Sequence, residues 1–256
     1  MTDIPVQPVL PAGEFRVGQA LSRAFSILFG DFAKFFLIGL VTALPSMVNT
    51  IYSGSSGNVA RLARANPGSF FLESAAVVIL FFLIYLLSQA VTLYGAFQLM
   101  RDRPFTWGPA FSRGLARFFP LLGLYVCVGL GILVAMLALI VPGIILATSL
   151  YVAVPVCVLE QAGVFHSMGR SAELTKGHRW RILGILLLVI FGNVLGGGLL
   201  GAVLGVTTGL MGAAIGSFIW NALVSAYSAI VVAVAYHDLR VLKDGIDIDR
   251  IAAVFD

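Results

Sequence analysis

Three short stretches of this chain mix polar and large apolar residues at helical spacing, and each is followed by apolar runs far longer than itself. In the first, Val17 to Phe32, the residues Val17, Leu21, Phe25, Leu28 and Phe32 fall on one stripe, with Arg16, Gln19, Ser22, Arg23 and Ser26 opposite and Ile27 as the exception. In the second, Trp107, Phe111, Leu115 and Phe118 form the stripe, with Ser112, Arg113 and Arg117 turned away. In the third, Gly163 to Lys176, it is Val164, Phe165, Met168, Ala172 and Thr175, with His166, Arg170, Glu173 and Lys176 elsewhere on the wheel. Such segments are expected to lie on a membrane surface.

Between them the runs are long enough to cross a bilayer, which takes about 20 helical residues. Phe32 to Ile51 predicts one crossing, with Lys34 snorkelling at its near end and Pro45 inside it. Ser53 to Ser69 reads as an outer loop with one helical turn around Arg61, and Phe70 to Met100 returns. Phe119 to Leu159 carries no charged side chain and predicts a hairpin turning at Val141-Pro142-Gly143, its second limb short and interrupted by Pro155. Trp180 to Val203 and Met211 to Tyr236 give the last two crossings. Their glycines recur every fourth residue at 197, 201, 205 and 209, a spacing suited to close helix packing.

Set in register from Val17, Trp107 and Val164, the three stretches read VGQALSRAF, WGPAFSRGL and VFHSMGRSA, with Arg23, Arg113 and Arg170 at the same place. The expected fold is therefore an all-α integral membrane protein with six transmembrane helices in three parallel repeats, each an interfacial amphipathic helix plus a hairpin. The repeats span about 14–103, 104–160 and 161–240 of a single membrane domain at 14–240, between tails at 1–13 and 241–256.

Composition agrees: 59% of the 256 residues are hydrophobic and 11% charged, where soluble domains carry about 25% charged residues. The net charge of +4 sits beside the apolar runs, which favours anionic lipid headgroups over nucleic acid as partners and leaves room for a protein partner. Of sixteen Lys and Arg residues, all but Arg61 and Arg64 fall on the side of the interfacial helices, so both termini are expected in the cytoplasm of a bacterial inner-membrane protein.

Candidate chemistry is sparse. Cys127 and Cys157 lie within apolar runs and read as small buried hydrophobes, and the three histidines show no zinc-ligand spacing. No GxSxG elbow and no phosphate-binding GxxxxGK[ST] loop is present, so neither catalysis nor a cofactor is expected. The candidate headgroup contacts are Arg23, Arg113, Arg170, Lys176 and Arg179. Glu160 ends an apolar run and is expected to be held in an ion pair with the nearby basic residues. Asp238 beside Arg240 and Asp102 between Arg101 and Arg103 repeat that arrangement of acid and base. Asn49, Gln89, Asn193 and Asn221 are candidate polar groups of the core.

The segment from Pro142 through Trp180, with PGIILATSLYVAVPVCVLEQ followed by GRSAELTKGHRW, and the terminal YHDLRVLKDG resemble the membrane domain that accompanies some glycerophosphodiester phosphodiesterases, and related stand-alone bacterial six-helix membrane proteins of unknown function. The resemblance implies fold and location. The soluble phosphodiesterase barrel has no counterpart in the sequence, so hydrolase activity is not implied. The expectation is a membrane component that binds lipids or protein partners through a basic cytoplasmic face; the alternative is a transporter of a lipid-like solute with a cavity between repeats.

Overall fold

A computed structural model of the chain describes residues 15–54, 64 and 66–244. The described residues form helices and connections, with no strand among them. In chain order these are α1 (Val17–Gly30), α2 (Phe32–Gly54), α3 (Pro67–Met100), α4 (Trp107–Ala116), α5 (Phe118–Ala138), α6 (Ile140–Ser149), α7 (Ala153–Leu159), α8 (Val164–Thr175) and α9 (Arg179–Asp244). The turn expected around Arg61 and the tail at 1–13 fall outside the described residues. Residues 241–244, expected to open the C-terminal tail, belong to α9, and 245–256 fall outside the described residues.

Four helical segments are long and apolar enough to cross a membrane: Phe70–Met100, Phe118–Ala138, Ile140–Leu159 and Arg179–Asp244. A fifth arises if α1 and α2, which meet at 99°, are counted as one bent span. The protein is an all-α, membrane-spanning protein. Its 66-residue α9 is two arms, 179–208 and 210–244, separated at Gly209, whose φ of 73° lies in the region that favours glycine. Gly205 abuts Ala213 and Gly197 abuts Trp220, so the arms run back along one another.

The α5–α6 reversal falls at Leu139 (φ −163°, ψ 142°), ahead of the Val141-Pro142-Gly143 turn that the sequence suggests. Pro142 belongs to the first turn of α6, where its missing N–H costs nothing. Gly143 allows α6 to close on Met136 of α5, which any Cβ there would overlap. The second limb breaks at residues 150–152, and Pro155 sits in the first turn of α7. Elsewhere, Gly39 of α2 packs directly on the Ala222 carbonyl of the second α9 arm, where any Cβ would overlap it.

The short helices turn only part of their stripes inward: Val17, Leu21, Trp107, Val164 and Met168 pack against the core, but most of the fully buried positions are small residues. In α1 the buried residues are Ala20, Ala24 and Leu28, while Phe25 and Phe29 are exposed and Ile27, the exception to the stripe, packs on the core. In α4 they are Ala110 and Gly114, with Phe111 and Leu115 exposed. In α8 they are Ser167, Ser171, Leu174 and Thr175, with Phe165 exposed. The physical reason is that lipid is as apolar as leucine, so large side chains gain little by turning inward, whereas small ones let backbones approach. At the fourth and eighth places of the register, the structure buries Ala20 and Ala24, Ala110 and Gly114, Ser167 and Ser171.

Candidate functional site: a cationic end and two cavities

Two of the short helices, α4 and α8, rest on crossings that precede them in the chain. Gly114 of α4 lies against Leu87, Ala90 and Val91 of α3. On α8, Ser171 Oγ and Thr175 Oγ1 both donate to the Ser149 carbonyl at the end of α6, at 2.8 and 3.2 Å. For α1 the supporting crossing is the last one: Tyr227 Oη donates to the Leu21 carbonyl at 3.0 Å, and Arg23 pairs with Asp238 at 2.6 Å. The Arg181 guanidinium reaches back to the Phe15 carbonyl at 3.0 Å, and Arg117 to that of Gln161 at 3.2 Å. These bonds gather the basic segments at one end of the bundle.

Within that end the candidate cations differ sharply. Arg23 is bound to an Asp238 carboxylate that is only 8% exposed, and thus serves the fold. Asp238 takes this partner in place of the neighbouring Arg240, which contacts Asp244 at 3.7 Å. Arg170 is saturated with acids: Asp244 at 2.5 Å, Glu173 at 3.4 Å and Glu160 at 3.9 Å. Glu160 also accepts a hydrogen bond from Tyr236 Oη at 2.6 Å, so its charge is held by a phenol and a guanidinium from different elements. Arg113 lies 4.9 Å over the Tyr94 ring, a cation–π contact with its guanidinium exposed. Lys34 does not reach out toward a headgroup level; it is tied to Asp31 at 2.6 Å and to the Phe105 carbonyl at 2.8 Å.

The remaining cations cluster where α8 hands over to α9. Lys176 is exposed, and neither it, Arg179 nor Lys243 has an acidic partner among the described residues. Arg179 Nε and His178 Nδ1 are buried atoms without a hydrogen-bond partner in the structure. The His178 imidazole is held below its usual pKa, first by burial and then by the positive charges of Arg181 and Lys243. Trp180, 85% exposed, adds apolar surface directly beside Arg179. Three cations and the buried Arg179 Nε, which has no hydrogen-bond partner, make the arrangement suited to an anion.

The candidate polar residues of the core do not meet in one place. Gln89 lines a cavity of about 140 Å³ with Tyr85, Tyr125, Tyr151 and Ser228. Asn221 lines a second, more apolar one of about 450 Å³ and donates to the Ser217 carbonyl at 2.7 Å. Asn193 lies on the first arm of α9 with its Oδ1 unpartnered, and the Asn49 side chain falls outside the described residues. Sequence reasoning missed the three cavity tyrosines and the Glu160–Tyr236 bond. A tyrosine in mid-run was the available signal for the former; the latter joins residues 76 apart and had none. Cys127 and Cys157 are free thiols, and no group of three potential ligands lies close enough to hold a metal ion among the described residues.

Comparison with family models, with curated protein sequences and with solved structures finds no match to this chain.

Proposed function

We propose that the protein is a polytopic component of the bacterial inner membrane, without catalytic machinery of its own, that binds anionic lipid headgroups through a basic cytoplasmic face. The observation that carries this is the cluster of Lys176, His178, Arg179 and Lys243 around the start of α9, without an acidic partner among the described residues and beside the exposed Trp180. A lipid phosphate supplies the missing charge, and the Trp180 ring suits the depth at which it sits. Arg23 and Arg170 serve the fold under this reading, and Arg113 is a peripheral contact.

The chain is further read as six crossings in three parallel repeats, with both termini in the cytoplasm. In support, buried small residues recur at the same two places of the register in α1, α4 and α8, and the last crossing carries α1 as the earlier ones carry α4 and α8. This is the membrane architecture that the Pro142–Trp180 segment resembles. Cysteines placed at 55–63 should react with a membrane-impermeant maleimide added to intact cells lacking the outer barrier; reaction only after lysis would reverse the orientation.

Headgroup binding is tested by native mass spectrometry of protein extracted into mild detergent with equal phosphatidylglycerol and phosphatidylcholine. Each nearby cation contributes about 1 kcal/mol, so Lys176→Glu with Arg179→Glu should cut phosphatidylglycerol retention at least tenfold. Unchanged retention would refute the reading. Added salt should weaken binding by the wild type, since surface charge is screened over about 8 Å at physiological ionic strength.

A further inference from the structure

The small cavity sits where the proposed repeats come together. Its walls are Tyr85, Gln89 and Leu93 of α3, Tyr125 of α5, Tyr151 from the break before α7, Val154 of α7, and Ser228, Ala229 and Val232 of the second α9 arm. Within this lining every polar side chain is uncharged: three phenols, one amide and one hydroxyl. Two are without partners. Neither the Gln89 amide, in a residue 9% exposed, nor the Tyr151 hydroxyl hydrogen-bonds to any described residue. Ser228, by contrast, turns back to the Ser225 carbonyl at 2.9 Å, and the Tyr85 and Tyr125 rings meet edge-on at 5.9 Å.

Unpaired amide and hydroxyl groups in a membrane interior are costly, because lipid cannot satisfy them. Something that enters the cavity must. The second cavity shows from where: it shares Tyr85 as a common wall, and it is lined by Ala43, Pro45 and Val78 together with Phe81 and Phe82, between α2, α3 and the second α9 arm. Val78 is 66% exposed on the outer surface of α3, so this apolar groove opens toward lipid. One ligand therefore meets a hydrogen-bonding, charge-free pocket at one end and an apolar groove at the other.

We propose that this pair of cavities is a binding site for a single-chain amphiphile with an uncharged hydroxyl head. The head accepts from and donates to Gln89 and Tyr151, and the chain lies in the groove past Tyr85. Charged heads are excluded because no described residue in the lining can neutralise them, and a bare hydrocarbon leaves both groups unsatisfied. The site is separate from the cationic end and needs none of its residues.

The test compares three probes of equal chain length, oleyl alcohol, oleate at pH 8.5 and 1-octadecene, titrated into the intact protein in dodecyl maltoside and read by native mass spectrometry. One oleyl alcohol should bind per chain. Octadecene and oleate should bind about tenfold more weakly, the effect of one or two lost hydrogen bonds. Gln89→Met and Tyr151→Phe keep shape and should each bring oleyl alcohol about fivefold closer to octadecene. Lys176→Glu with Arg179→Glu should leave oleyl alcohol binding unchanged while abolishing phosphatidylglycerol retention, so the two proposals fail separately. Equal binding of all three probes by the wild type would overturn the site, since that comparison needs no variant to fold. So would alcohol binding indifferent to both substitutions, which would leave only water in the cavity.

Discussion

Two of the short helices rest on their neighbours differently, and the difference is written in the helix beneath. Under α4 the supporting helix α3 is continuous, and the contact is dry: Gly114 against Leu87, Ala90 and Val91. Under α8 the support is interrupted between α6 and α7. The Ala153 N–H that would have bonded to the Ser149 carbonyl bonds to Leu150 instead, at 3.1 Å. That leaves a carbonyl orphaned in an apolar setting, and α8 supplies Ser171 and Thr175 to satisfy it. Hydroxyls at α8 and Ala or Gly at α4 are thus one solution adapted to a broken and an unbroken partner.

The contrast can be broken in graded ways, each read by thermal or SDS-induced unfolding of purified protein. Bulk on the dry side should cost most: Gly114→Leu places a side chain where even a Cβ would be 3.2 Å from Leu87, and about 3 kcal/mol of destabilisation is expected. Removing both donors on the wet side, Ser171→Ala with Thr175→Val, strands the Ser149 carbonyl at about 2 kcal/mol. If the double variant proved as stable as the wild type, the hydroxyls would be incidental. Thr175→Val alone should cost less, about 1 kcal/mol, because Ser171 remains, and Ala110→Ser on the dry side should cost least of these variants, since its hydroxyl can turn back to the Thr106 carbonyl as that of Ser167 does to Gly163 at 2.9 Å.

The smallest effect concerns pH and is confined to the junction of α8 and α9. His178 has a folded-state pKa below the ordinary value near 6.5, so the neutral ring is favoured in the folded protein. Its contribution is complete above pH 6.5 and is lost as pH falls through the depressed value. The melting temperature should drop modestly between pH 7.5 and 5, and His178→Gln should remove that part of the drop. An identical pH profile in the variant would place the acid sensitivity elsewhere.

Much of the helix inventory was legible in the chain, because runs of about 20 apolar residues have one viable conformation in lipid. How each short helix divides its stripe between core and lipid was not. Phe25, Phe111 and Phe165 share stripes with Leu28, Trp107 and Val164, yet they are exposed, where lipid satisfies them, while Ala20, Gly114 and Ser171 take the interior. The Val141-Pro142-Gly143 turn was misplaced by a similar ambiguity, since proline and glycine open α6 as readily as they end α5. Of the cationic site, Lys176 and Arg179 could be named from charge alone. That Arg23 is spent on Asp238, 215 residues away, required the fold.

Gly209 gives the molecule its parity. An unbroken α9 of 66 residues would be about 99 Å long, some three bilayer cores end to end. Its second arm would then leave the membrane on the far side, and Asp238 would lie more than a bilayer thickness from Arg23. With the reversal, the chain returns to the end it left and its last crossing meets its first helix, converting a linear string of hairpins into a closed circuit. One residue without a side chain, at a φ that others resist, decides whether the protein has a circumference or merely a length.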